Sequence, residues 1–120
     1  MTDRRSAPPV DAFGDGGFRI GGVRREGSLL IVDGSIRPWV ASGPQGLSPD
    51  DFAPFLTGPV RPDLVLLGLG ERLVHPPAEV RRAFREANVG LEALDTPGAC
   101  RSWNLLAGEG RRVGAALIAV

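Results

Sequence analysis

The chain has no lysine, a single cysteine, a single histidine and no net charge. Each scarcity excludes something. Fourteen arginines balance fourteen acidic residues, so no long-range field recruits nucleic acid or an anionic membrane surface, and a nucleic-acid partner is not expected. The all-arginine cation set is what codon bias in a GC-rich genome produces without any chemistry. One cysteine, Cys100, rules out an internal disulfide and a cysteine-based zinc site, and it suits a reducing compartment, so the cytoplasm is the expected location. Long apolar runs are also missing: no segment approaches the ~20 residues a membrane helix needs, so membrane insertion is not expected. Residues 1–9 carry Arg4 and Arg5 but no apolar core after them, unlike a secretory signal.

What remains reads as one domain, because a chain of this length buries roughly two-thirds of the surface its unfolded form exposes. Residues 1–12 are polar and proline-containing and are expected to form a flexible arm, with a single globular domain over 13–120. Phe18-Arg19-Ile20 alternates as a half-buried strand does, and Ser28 to Val32 is a stronger strand ended by Asp33-Gly34. The residues between them, Gly21 to Gly27, read as a turn or hairpin connection, which makes the N-terminal part a hairpin region. Ile36 to Val40 fits a short edge strand because Pro38 cannot donate to a central ladder. Ser48-Pro49-Asp50-Asp51 is a helix start with a capping acid, and Phe52, Phe55 and Leu56 share one face before Gly58-Pro59 stops the helix.

Asp63 to Gly70 is apolar almost throughout, as a strand covered on both faces is. Pro77 to Asn88 then places Val80, Ala83, Phe84 and Ala87 at helical spacing, and Val89 to Leu94 is a strand, so the three form a crossover unit with parallel strands. Asp95 or Thr96 caps a last helix, with Pro97 at its first position and Gly108 and Gly110 at its end. In the closing strand Val113, Ala115 and Leu117 face one way and Gly114, Ala116 and Ile118 the other, all apolar. A three-layer α/β domain with a mixed sheet is the predicted fold, and a segregated α+β domain is the competing one.

Candidate chemistry is sparse. Gly68-Leu69-Gly70 after a strand fits a loop whose N–H groups cradle an anion. A dinucleotide fingerprint, however, needs a third glycine where Leu73 stands, and tight turning against a neighbouring backbone accounts for the same glycines. Cys100 lies in the first turn of a helix, where the macrodipole favours a thiolate. His75 is the only histidine and nothing places it nearby, so the thiol reads as a small buried hydrophobe. Arg101 and Asn104 share a helix face, with Asp95, Glu109 and Arg111 flanking the element. These groups either pair internally, the favoured reading, or line a pocket at the strand ends. Trp39 and Trp103 read as core or rim.

Several blocks of the chain resemble a known family. Gly16-Gly17-Phe18, Gly27-Ser28-Leu29-Leu30, Trp39, Leu66 to Gly70, Asp95-Thr96, Ala99 to Leu106 and Glu109 to Val113 resemble the small family that includes mitochondrial complex I assembly factor 3. The similarity covers roughly residues 13–119. Leu69 stands where that family usually has threonine, and Ser102-Trp103 where it usually has Thr-Tyr. The resemblance implies a three-layer fold around a five-stranded mixed sheet flanked by helices, with the last strand antiparallel to its neighbours. It also implies a non-enzymatic binding or assembly factor, with protein partners among the subunits of a membrane-bound respiratory complex and a position peripheral to the inner membrane. Homo-oligomerisation is left open. The competing function is a small-molecule or anion-binding protein, or an enzyme, using the strand-end pocket. The candidate pocket or surface set is Gly68, Leu69, Gly70, Asp95, Thr96, Arg101, Asn104, Glu109 and Arg111. No catalytic residue, metal ligand or cofactor is assigned.

Overall fold

The computed structural model describes residues 8–41, 43–59, 61–109 and 111–120. A mixed five-stranded sheet forms the middle layer, in the order β5 (Ser35–Pro38), β4 (Leu29–Val32), β8 (Val113–Leu117), β6 (Leu64–Gly68), β7 (Gly90–Leu94). A separate antiparallel sheet is built from β1 (Val10–Gly14), β2 (Gly17–Ile20) and β3 (Val23–Glu26). Three helices, α1 (Ala53–Leu56), α2 (Ala78–Glu86) and α3 (Thr96–Gly108), complete the α/β domain.

The two most apolar runs of the sequence become the two interior neighbours β8 and β6, because only strands covered on both faces can be apolar on both. One side of the sheet, with Leu30, Val65, Leu67 and Ala116, packs under Phe52, Phe55, Val80 and Phe84 of the α1 and α2 layer. The other, with Ile31, Leu66, Ala115 and Leu117, packs against Ala99, Cys100 and Trp103 of α3 and Phe18 and Ile20 of the small sheet. In the first layer Trp39 meets Phe52 in a tilted pair and Phe52 meets Phe84 edge to face, with ring centroids 5.5 Å and 5.3 Å apart. Gly114 on β8 leaves room for this layer: a Cβ there would stand 2.6 Å from the Phe55 ring.

Local signals explain the helix boundaries. The Asp51 carboxylate accepts the Ser48 N–H at 2.8 Å, so the capping acid acts as expected, although the turn it opens, Pro49–Phe52, is a 3-10 turn leading into α1. Asn88, at φ 59, stops α2. The β6-α2-β7 unit is a parallel crossover.

Four readings of the sequence are revised. Residues 21–27 are more than a connection, since they contain β3, whose four residues are all exposed and so carry no alternating pattern. Residues 10–12, assigned to the arm on composition, lie in β1, where Val10 is buried; residues 1–7 of that arm lie outside the described residues. Pro97 occupies the second helical position, because α3 begins at Thr96 with Asp95 as its cap, and Gly110 is outside the described residues. The last strand, β8, is antiparallel to β4 but parallel to β6, so the antiparallel relation holds on one side only.

Candidate functional site

Because β6, β7 and β8 run parallel, their carboxyl ends meet at one end of the sheet, the place where open α/β sheets bind ligands. The segments arriving there are Gly68-Leu69-Gly70, Asp95-Thr96 and Ile118. They close on one another. The Leu69 N–H donates to the Leu94 carbonyl at 2.9 Å, the Thr96 N–H to the Gly70 carbonyl at 2.8 Å, and the Ile118 N–H to the Gly68 carbonyl at 3.0 Å.

Thr96 fastens the centre. Its side chain is fully buried, and its hydroxyl accepts the Gly70 N–H at 2.9 Å and donates to the Ile118 carbonyl at 2.7 Å. One hydroxyl therefore ties the end of β6 to the end of β8 through the start of α3. The cap itself comes from Asp95, whose Oδ1 accepts the Gly98 N–H at 2.7 Å.

Both glycines follow from this closeness. A Cβ on Gly68 would lie 3.0 Å from the Thr96 Cα and 3.2 Å from the Ala99 Cβ, so the residue lets α3 sit directly on β6. Gly70 turns the chain at φ 105, a conformation that L side chains rarely adopt. The N–H that an anion-binding loop would offer is already spent on Thr96. Leu69 is buried in the core rather than lining a pocket.

The rest of the sequence set is dispersed. Asn104 reaches the small sheet, where its Oδ1 accepts the Val10 N–H at 2.8 Å and its Nδ2 donates to the Val10 carbonyl at 3.0 Å. Arg101 is exposed on the second turn of α3. Glu109 and Arg111, also exposed, lie beyond the far end of that helix, about 20 Å from its start at 1.5 Å per residue. Asp95 and Arg101 both approach Gly98, where a Cβ would stand 2.8 Å from the Asp95 Oδ1 and 3.7 Å from an Arg101 guanidinium nitrogen, whereas Asn104 turns to the small sheet.

Sequence reasoning gave no role to Ser28, whose buried hydroxyl accepts the Ala119 N–H at 2.9 Å. The Gly16 N–H likewise donates to the Val120 carbonyl at 2.8 Å, so the C-terminal segment is held from three sides. A serine before an apolar run is too common a pattern to have marked this.

Cys100 is buried among Ala99, Trp103 and the small sheet, and its thiol is pushed up to about 12 by that burial, against a smaller opposing pull from Arg101. Desolvation therefore outweighs the nearby positive charge. His75 is exposed in the loop before α2. Among the described residues no three potential ligands come together to hold a metal ion, and no buried side-chain polar atom lacks a partner. No described helix is long and apolar enough to cross a membrane.

Residues 10–118 match the family model of a protein of unknown function, DUF498/DUF598. The chain belongs to this family. A relative of the DUF498/DUF598 chain in Homo sapiens, NADH dehydrogenase [ubiquinone] 1 alpha subcomplex assembly factor 3, is 34% identical over 109 residues, covering 91% of this chain and 59% of that protein. The chain thus spans about three-fifths of the length of that relative. An uncharacterised protein of Rhodobacter capsulatus is 37% identical over 93% of this chain and 85% of its own. Among solved structures, an outer membrane protein from Bartonella henselae superposes with a TM-score of 0.89 at 30% identity, over 97% of this chain and 98% of that one.

Proposed function

We infer that the chain is a non-enzymatic binding protein that assists the assembly of a membrane-bound respiratory complex, working through its surface on protein partners at the membrane periphery. The observation that carries this reading is the closed strand-end clamp. Where an open α/β sheet would receive a ligand, Thr96 fills the space and takes up the loop N–H. In this reading Gly68, Leu69, Gly70, Asp95 and Thr96 are framework, and the exposed Arg101, Glu109 and Arg111 belong to the surface that partners meet. The relative named as an assembly factor supplies the direction. The competing reading, a small-molecule or anion site, needs an open loop N–H or an unsatisfied buried polar group at the strand ends, and neither supports it.

The test is affinity purification of the full chain at native abundance from its own cells, with quantitative mass spectrometry. Enrichment of NADH dehydrogenase subunits or of their assembly intermediates is expected. Absence of any enriched protein, together with a thermal shift of several degrees by one compound from a panel of phosphates, nucleotides and carboxylates, would replace this reading with the small-molecule one.

A further inference from the structure

The four outer edges of the two sheets are not alike. β5 carries Pro38, which has no N–H to offer. β1 has an irregular register between Val10 and Ala12, and Asn104 occupies both backbone groups of Val10. β3 presents the charged side chains of Arg24, Arg25 and Glu26. The edge at β7 has none of these obstacles, and a shallow groove lies beside it, lined by Arg81, Phe84 and Arg85 of α2, Val89 of the connecting turn and Leu91 of β7; the groove beside the β5 edge, lined by Val32, Asp33, Arg37, Pro54, Gly58 and Pro59, instead holds an acid as well as its arginine.

The backbone at this edge has a definite polarity. The Gly90 N–H donates to the Asp63 carbonyl and the Leu94 carbonyl accepts from Leu69, so residues 90, 92 and 94 direct their backbone groups toward β6. Alternation then directs the N–H and C=O of Leu91 and Ala93 outward. The side chains of Leu91 and Ala93 lie on the α2 side of the sheet, packed against its core, whereas Glu92 alternates to the opposite face and is exposed. Arg81 and Arg85, one helical turn apart and both exposed, flank the apolar floor, and the described lining holds no acid to balance them.

We propose that β7 is a strand-addition site that accepts an extended segment of a partner protein carrying apolar and acidic side chains on the face turned toward α2. Main-chain hydrogen bonds to Leu91 and Ala93 supply the pairing, Phe84, Val89 and Leu91 receive the apolar side chains, and Arg81 and Arg85 select carboxylates. Glu92 on the other face disfavours acids there. This deepens the protein-binding reading and rests on it.

The probe is a synthetic peptide repeating Glu-Thr-Leu-Thr, compared with the same peptide carrying Lys in place of Glu, each added to the isotope-labelled full chain. The acidic peptide is expected to shift the amide resonances of β7 and α2 and to slow hydrogen exchange at Leu91 and Ala93. Binding should weaken with added salt, and by at least about tenfold in the double variant Arg81→Glu, Arg85→Glu, since like charges then face each other. The lysine peptide should bind the double variant better than the wild type. Both substituted positions are exposed, so the variant keeps the fold. Equal affinity for both peptides, shifts confined to the β3 or β5 edge, or no binding of the acidic peptide would overturn the proposal. Purification of wild type and variant from native cells separates the two readings. Equal capture of the same partner by both leaves protein binding standing and removes β7 as its site, while capture by neither removes protein binding itself.

Discussion

Replacing Thr96 by valine isolates the clamp, because valine has nearly the same shape and lacks only the hydroxyl. The side chain is fully buried, so no water reaches the groups it leaves behind. Two backbone partners lose their bonds, the Gly70 N–H at 2.9 Å and the Ile118 carbonyl at 2.7 Å. An orphaned buried polar group costs about 1–3 kcal/mol. Small shifts that let one of the two find another partner would trim the sum, so Thr96→Val should lose about 2–4 kcal/mol. At about 4 °C per kcal/mol for a chain of this length, the melting midpoint falls by about 8–16 °C. Thr96→Ser keeps the hydroxyl and gives up one methyl group, a loss of about 1 kcal/mol. Urea unfolding of the three proteins, with the denaturant slope checked for constancy, measures the difference. A valine variant as stable as the serine variant would refute the reasoning, since it would mean that the hydroxyl contributes nothing the backbone cannot obtain elsewhere.

Trp103, fully buried between α3 and the small sheet, should cost about 3–5 kcal/mol on truncation to alanine in the same assay, and a loss under about 1 kcal/mol would contradict its place in the core. Asn104→Ala should raise hydrogen exchange in β1 while lowering global stability by only about 1–2 kcal/mol, because it frees the two backbone groups of Val10 at the sheet edge; unchanged exchange at residues 10–14 would count against the bond pair. Cys100 should alkylate far more slowly in the native chain than in the unfolded one. Its thiol, raised from 9.0 to about 12, holds its proton in the folded state after the unfolded chain has lost it, so its contribution to stability is complete below about pH 9 and declines between there and about pH 12. Cys100→Ala should flatten that part of the stability profile, and a profile with the same fall in both proteins would assign the alkaline loss to other groups.

The parts of the fold that were legible in the sequence are those whose cause is local. Burial on both faces leaves an unbroken apolar run, which marked β6 and β8, and the spacing of Val80 and Phe84 marked α2 before Asn88 ended it. β3 was not legible because an exposed strand at a sheet edge selects no apolar residue. The roles of Thr96 and Asn104 were hidden for another reason. Thr96 reads locally as a helix cap, and only a contact 22 residues away shows it as a tie between strands. Asn104 reads as a polar helix residue, and its partners lie 94 positions earlier in the chain. Of the polar residues grouped by helical spacing, Asp95 and Arg101 approach the same point beside Gly98, while Asn104 is directed to Val10, because spacing fixes only which residues are neighbours on a face and the layer above each turn decides what each one meets. The glycines of the 68–70 loop had two readings in sequence, and the close approach of Thr96 to Gly68 is the distance that favours packing.

The role proposed for this chain is to promote assembly of a respiratory complex through protein contacts. Its most direct test is native-gel quantification of assembled NADH dehydrogenase in cells lacking the chain and in the same cells supplied with it. Less assembled enzyme and an accumulation of partial complexes are expected without the chain, both restored by the wild type. Fully assembled enzyme at normal abundance in its absence would contradict the claim.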